Sequence, residues 1–223
     1  MKLGRGKPLC VLGVLAAAAA VAPAAASAEP GVTDVAWTVH EHGASASASM
    51  NVLTINDQRR IDNRISAYIG TNGRLVLTAP EGLGDPDGGG ANCSLDNATS
   101  GETSGTEVSC AAGYIGAIVG NLGGGHDTFD ADPGLTVMVG AVIDGQTRPL
   151  SGGPGRDRLV GGDLPDLLAG GGGPDSIVGG GGTDLLLGGA GTDRLIGGAG
   201  RDVCRGSGGM DTAKSCEQVR SIP

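Results

Sequence analysis

The sequence from Gly152 to Lys214 divides without gaps into seven units of nine residues. They read GGPGRDRLV, GGDLPDLLA, GGGGPDSIV, GGGGTDLLL, GGAGTDRLI, GGAGRDVCR and GSGGMDTAK. Position one is glycine and position six is aspartate in all seven, and position four is glycine in all but the unit with Leu164. Position eight is Leu, Ile, Cys or Ala. A short period sustained over seven copies predicts a solenoid of stacked coils.

The residue type at each position of the unit has a physical explanation. Glycines at positions one, two and four permit a tight loop with left-handed backbone and leave the loop carbonyls exposed to a ligand. The three residues after the aspartate are expected to form a short strand whose middle side chain points inward. The unit therefore predicts a loop that ends in a carboxylate, followed by a strand.

The pattern resembles the RTX calcium-binding nonapeptide repeat, GGxGxDxUx, in which U is a large apolar residue. The resemblance covers about 60 residues and implies a right-handed parallel β-roll (a β-solenoid) in which two units make one turn. It also implies that Ca²⁺ lies between stacked loops, because carboxylates and backbone carbonyls are the hard oxygen ligands that this ion prefers. The fold class is therefore expected to be all-β, with a small β N-terminal module followed by this β-roll.

Carried onto this chain, the resemblance makes the position-six aspartates the calcium carboxylates and the loop glycines the source of backbone ligands. The carboxylates are Asp157, Asp166, Asp175, Asp184, Asp193, Asp202 and Asp211. The glycines are Gly153, Gly155, Gly171, Gly173, Gly180, Gly182, Gly189, Gly191, Gly198 and Gly200.

Alternate units would stack on opposite edges of the roll. One edge would contain Asp157, Asp175, Asp193 and Asp211, and the other Asp166, Asp184 and Asp202, which gives at most five intervals for calcium. The best-formed sites are expected at Asp175/Asp193 and Asp184/Asp202. Leu164 replaces a loop glycine, which puts the site that uses Asp166 in doubt.

The charge balance of the array leads to a hypothesis and an alternative. From Gly152 to Arg205 there are seven acidic residues and five arginines, so self-repulsion is weak and the array is expected to be partly folded without metal. Calcium would then bind more weakly than in strongly acidic arrays. The alternative is a purely structural solenoid in which the aspartates cap turns and pair with arginine.

The N-terminus has the features of a secretory signal peptide over residues 1–28. Lys2, Arg5 and Lys7 precede an apolar run, and Ala26-Ser27-Ala28 predicts cleavage after Ala28. The run is shorter than a membrane span. We therefore expect a secreted, extracellular protein with no membrane span after cleavage.

The even number of cysteines beyond this leader favours disulfides in an exported protein. Four cysteines allow three pairings, and proximity in sequence favours Cys93–Cys110 and Cys204–Cys216.

The remaining segments are interpreted as β structure of lower regularity. Residues 29–113 are expected to form the N-terminal module, including a hairpin over Arg64–Ile69 and Arg74–Thr78 with Asn-Gly in its turn. Residues 114–151 are expected to be degenerate solenoid coils, because LGGGHDTFD at Leu122–Asp130 is a loose copy of the unit and the next stretch is interrupted around Asp144. Residues 152–214 form the regular repeats and 215–223 a C-terminal cap.

The composition excludes several functions. Aromatic residues make up 2% of the 223 residues, and 24 acidic residues outnumber 15 basic ones, which disfavours nucleic-acid binding. No GxSxG, HExxH or Walker A motif occurs, so no enzyme is expected. Calcium is the expected ligand and cofactor.

The sequence is also compatible with two other functions. One is an adhesive or matrix component of the cell surface that associates with a surface or itself through the outer face of the solenoid. Position nine would form that face, with Val160, Val178 and Ile196 on one side and Ala169, Leu187 and Arg205 on the other. The other is a small secreted hydrolase with an unrecognised N-terminal site.

Overall fold

The computed structural model describes residues 35–42, 50–57, 60–84, 93–96, 104–111, 113, 115–143 and 146–220. The predicted signal peptide and its cleavage site lie outside these residues. Strands dominate the described part, and no helix in it is long and apolar enough to cross a membrane.

The regular repeats form one strand per unit, and each strand begins directly after the position-six aspartate. The second residue of each of these strands, at position eight of the unit, points inward. Leu159, Leu168, Ile177, Leu186 and Leu195 are therefore completely buried and form the dry centre of the roll. The strands are β13 (Arg158–Val160), β14 (Leu167–Gly172), β15 (Ser176–Gly182), β16 (Leu185–Ala190), β17 (Arg194–Gly200), β18 (Val203–Gly208) and β19 (Thr212–Lys214).

These strands stack in parallel with every second unit. In one ladder Ile177 is opposite Leu195, and in the other Leu168 is opposite Leu186. One ladder therefore contains β13, β15, β17 and β19, and the other contains β14, β16 and β18. The predicted all-β fold with a parallel β-roll is confirmed.

Both ladders continue into the N-terminal half of the chain. β2 pairs in parallel with β7, and β3 pairs in parallel with β8, which is itself next to β13. Parallel stacking therefore begins N-terminal to the boundary predicted at residue 113, and one hydrophobic core extends from Leu53 to Cys204. The strands are β1 (Val35–His42), β2 (Met50–Asn56), β3 (Arg64–Ile69), β4 (Arg74–Gly84), β5 (Cys93–Asp96), β6 (Ser104–Ala111), β7 (Ile115–Asn121) and β8 (Thr128–Ala131).

Antiparallel strands cover the N-terminal end of the roll. β3 and β4 form the expected hairpin, with Gly73 in a left-handed conformation in its turn. β4 also pairs antiparallel with β6 and in parallel with β1, and β1 pairs antiparallel with β2. This layer joins the two ladders and protects their first strand edges, which would otherwise be open to pairing with another chain.

A second hairpin interrupts the coil between Val139 and Leu150. Val139 is opposite Ile118, while Leu150 is opposite both Gly120 and Leu168. The short strands before and after the hairpin, which contain Val139 and Leu150, therefore both pair with β7 and lie in the same coil. The hairpin packs on the outer face of β2 and β7, and this insertion accounts for the interruption predicted within the degenerate coils. The strands here are β9 (Met138–Val139), β10 (Ala141–Ile143), β11 (Gln146–Arg148) and β12 (Leu150–Pro154).

The two expected disulfides are present. Cys93–Cys110 joins the antiparallel strands β5 and β6 with its Cα atoms 4.0 Å apart. Cys204–Cys216, with Cα atoms 6.0 Å apart, ties the last buried position-eight side chain to the C-terminal cap, which contains β20 (Gln218–Arg220). Loops of this size contribute about 3 kcal/mol each in the chain-entropy description.

Ser207 provides a test of the loop geometry. It has a φ of 89° at position two of the last regular unit and lies opposite Gly189, although a side chain disfavours this backbone conformation. We expect Ser207→Gly to raise the free energy of unfolding by about 1 kcal/mol in urea titrations. The control Ser176→Gly, in strand β15, should lower it by about 0.5–1 kcal/mol; destabilisation by both changes would contradict the assigned loop conformation.

Candidate calcium site

The loops of the repeats have the left-handed backbone that the glycine pattern predicts. All ten of the glycines proposed as loop ligands have φ angles between 108° and 159°. These glycines also stack one above another. A Cβ on Gly191, for example, would overlap the backbone carbonyl of Gly173 in the preceding coil. The loops can therefore approach each other closely only because both columns are glycine.

The position-six aspartates form a continuous ladder along each edge. In each case Oδ1 accepts a hydrogen bond of 2.9 Å from the backbone N–H of the aspartate one coil earlier. The pairs are Asp157–Asp175, Asp175–Asp193 and Asp193–Asp211 on one edge, and Asp166–Asp184 and Asp184–Asp202 on the other. The predicted alternation of edges is thus present in the hydrogen bonding.

The aspartate ladders extend beyond the seven regular units. The N–H of Asp127 donates to Asp157 Oδ1 at 2.8 Å, and the N–H of Asn63 donates to Asp127 Oδ1 at 2.8 Å. At the other end the N–H of Asp202 donates to Glu217 Oε2 at 2.6 Å. The loose repeat copy contained a signal for Asp127, whereas Asn63 and Glu217 lie outside the nine-residue phase and were missed.

The second carboxylate oxygen is buried and lacks a partner in most of the loops. Among the described residues, Oδ2 has neither solvent contact nor hydrogen bond in Asp127, Asp157, Asp175, Asp184, Asp193, Asp202 and Asp211. An unpaired buried carboxylate oxygen is costly in free energy unless a cation or donor compensates it. These oxygens are the strongest structural indication of a bound cation.

Backbone carbonyls lie next to these oxygens. The point where a Cβ would extend from Gly170 is flanked by Asp175 Oδ2 and by the carbonyl of Gly188 in the next coil. The same arrangement recurs at Gly179, with Asp184 Oδ2 and the Gly197 carbonyl, and at Gly188. A missing side chain thus leaves a cradle lined by a carboxylate and a carbonyl, which are ligand types suited to Ca²⁺.

Asp166 differs from the other repeat aspartates. Its Oδ1 accepts from the N–H of Val139 at 2.7 Å, and its Oδ2 accepts from the N–H of Gly162 at 2.8 Å. Both oxygens therefore have backbone donors. The cause is local, because the loop with Leu164 lacks the left-handed glycines of the other loops. The carboxylate of Asp166 therefore requires less compensation from a cation than the carboxylates of the other repeat aspartates.

Burial makes it unfavourable to ionise these carboxyls. Loss of hydration raises the pKa of Asp127, Asp166, Asp175 and Asp184 to about 7, against hydrogen bonds from backbone N–H groups that lower it. Burial also raises the pKa of Asp157 and Asp193. Neighbouring aspartates of the ladder contribute further for several of them, because like charges disfavour ionisation. A bound cation would relieve both penalties.

Arginine does not supply the missing charge to the ladder. The ion pair at the repeats joins Arg158 to Asp130 at 3.3 Å on the exposed outer face. Oδ1 of each ladder aspartate is bonded to backbone, and Oδ2 has no partner except in Asp166. The part of the structural alternative that requires aspartate–arginine pairs is therefore not observed in the described repeats.

The donor set of a calcium site would combine side chains and backbone. Within the described residues, no group of three or more His, Cys, Asp or Glu side chains converges as a metal site. The residues nevertheless fit Ca²⁺, since four loops provide both a buried unpaired carboxylate oxygen and an adjacent carbonyl of the next coil. These are the loops of Asp175, Asp184, Asp193 and Asp202. When bound, the ion would supply positive charge that compensates the carboxylates of stacked loops.

Comparison with known proteins agrees with this geometry. The family model described as RTX calcium-binding nonapeptide repeat (4 copies) matches residues 151–186, 160–195 and 178–213. No curated protein and no solved structure matches the chain. Residues 151–213, with their stacked glycine loops and aspartate ladders, are therefore RTX calcium-binding nonapeptide repeats folded as a parallel β-roll.

Proposed function

We propose that this chain is an exported, non-enzymatic protein whose β-roll is completed by calcium outside the cell. The observation that supports this function most directly is the row of buried aspartate Oδ2 atoms without a partner. Metal-free, these carboxylates oppose close stacking of the loops. With calcium between the loops, the same carboxylates stabilise the stack.

Export determines where calcium would bind and complete the fold. Extracellular calcium-binding modules have dissociation constants of about 10⁻⁴–10⁻³ M, which suits filling of weak sites after export. The signal-peptide pattern at residues 1–28 and the two disulfides support export. The aspartates bind the ion, glycines at position one present carbonyls next to the carboxylates, and the position-eight side chains keep the interior dry.

Thermal unfolding in calcium tests this function. A single site filled at 100 times its dissociation constant adds about 2.7 kcal/mol to the free energy of unfolding. We therefore expect calcium to raise Tm by more than about 5 °C over a chelator-treated sample. Magnesium at the same concentration is the control and should have little effect, because it requires a rigid octahedral shell and keeps its water. Equal Tm values with calcium, magnesium and chelator would contradict the proposed function.

A further inference from the structure

The C-terminal cap is a shortened eighth unit of the ladder. β20 pairs in parallel with β18, with Val219 opposite Cys204, 15 residues apart, whereas Cys204 is opposite Leu186, 18 residues apart. The loop before β20 is therefore three residues shorter than a repeat loop. Glu217 directly precedes β20, as an aspartate directly precedes each of the regular strands.

Glu217 makes the ladder contact of a repeat aspartate. Its Oε2 accepts the backbone N–H of Asp202 at 2.6 Å, as Oδ1 of Asp202 accepts the N–H of Asp184 at 2.9 Å. The additional methylene of glutamate lets the carboxylate reach this N–H from the shorter loop. The cap thus presents a carboxylate to the last loop of this edge.

The loop opposite the cap contains a buried oxygen that lacks a partner. Asp202 is 0% exposed, and its Oδ2 has no hydrogen bond. This oxygen and the carbonyl of Ser215 lie at the point where a Cβ would extend from Gly197. One coil earlier, Asp184 Oδ2 and the Gly197 carbonyl have the same relation to Gly179. Ser215, with a φ of 50°, therefore supplies the carbonyl that a glycine supplies in the repeats.

We propose that the cap forms a terminal calcium site from Asp202 Oδ2, the Ser215 carbonyl and the Glu217 carboxylate. All three are hard oxygen donors, and the two carboxylates provide the negative charge that Ca²⁺ requires. The Cys204–Cys216 disulfide holds the residue next to Glu217 against the roll. Glu217 lies outside the matched repeats, which end at residue 213. This inference rests on the proposed calcium-binding function.

The test compares bound calcium in the parent chain and in Glu217→Gln, both with disulfides intact, by native mass spectrometry at millimolar calcium. Glutamine can still accept the N–H of Asp202, so the ladder bond is retained while the charge is removed. We expect this variant to bind one calcium ion fewer than the parent. The matched control Asp163→Asn removes an exposed carboxylate that takes no part in the ladder and should leave the count unchanged.

A second measurement uses the unaltered chain, so its result does not depend on whether the variant folds. In protein labelled with carbon-13 in glutamate carboxyl groups, the Glu217 resonance should shift on calcium addition. An unchanged ion count in Glu217→Gln or an unshifted Glu217 resonance would overturn the cap site. Absence of calcium from the parent chain would instead contradict the proposed function itself.

Discussion

Gly191→Ala is expected to lower the free energy of unfolding by about 3 kcal/mol or more, because two penalties combine. Gly191 has a φ of 140°, which a side chain disfavours, and a Cβ there would overlap the carbonyl of Gly173. That carbonyl belongs to backbone fixed in the parallel stack, so it cannot move aside cheaply. Urea titration in saturating calcium measures the change.

Gly172→Ala is the matched control for this prediction. Gly172 lies in the same stack of loops, but a Cβ there would meet nothing within 4 Å, and its φ is not left-handed. The control is expected to change the free energy of unfolding by no more than about 0.5 kcal/mol. Equal destabilisation by both variants would show that the loops do not stack as described.

Asp184→Asn is expected to have opposite effects with and without calcium. Asparagine can retain the oxygen that accepts from the Asp166 N–H, and it replaces the unpaired Oδ2 by an amide that can donate to the nearby Gly197 carbonyl. In chelator the variant should therefore be more stable than the parent by about 1–2 kcal/mol. In calcium at 100 times the dissociation constant, one lost site removes about 2.7 kcal/mol of this stabilisation. Because the gain of about 1–2 kcal/mol in the metal-free state persists, the variant should then be less stable than the parent by about 1 kcal/mol for one lost site, and by more for two.

Asp163→Asn is the control for Asp184→Asn, since Asp163 is an exposed acid in the same array. Its free energy of unfolding should stay within about 0.5 kcal/mol of the parent in both conditions. A change in the free energy of unfolding that is positive in chelator and negative in calcium distinguishes a metal ligand from a structural carboxylate. If Asp184→Asn destabilised the chain equally in chelator and in calcium, the ladder would be structural alone.

The regular roll could be predicted from sequence because local and global signals agree there. Glycine at two left-handed loop positions, aspartate before each strand and an apolar residue at position eight repeat in one phase, so the 18-residue register between Ile177 and Leu195 follows from the period. The doubt attached to Asp166 has a visible cause, because the loop with Leu164 takes another conformation and bonds both of its carboxylate oxygens. The assignment of the aspartates as calcium ligands stays a prediction.

The ends of the ladders could not be predicted from the period. Asn63 and Asp127 are hydrogen bonded although 64 residues separate them, and β3 to β7 lie between them in sequence. The hairpin between Val139 and Leu150 leaves the coil and returns to the same level, so a count of residues misplaces the strands around it. Glu217 was missed because the cap loop is three residues shorter than a repeat loop.

The number of calcium ions on the intact chain tests the central claim most directly. The claim is that the buried, unpaired carboxylate oxygens of stacked loops hold calcium. Native mass spectrometry during a calcium titration should show several ions per chain, all removed by chelator. Asp184→Asn should bind fewer, whereas Asp163→Asn should match the parent. A parent chain that binds no calcium at millimolar concentration would contradict the claim.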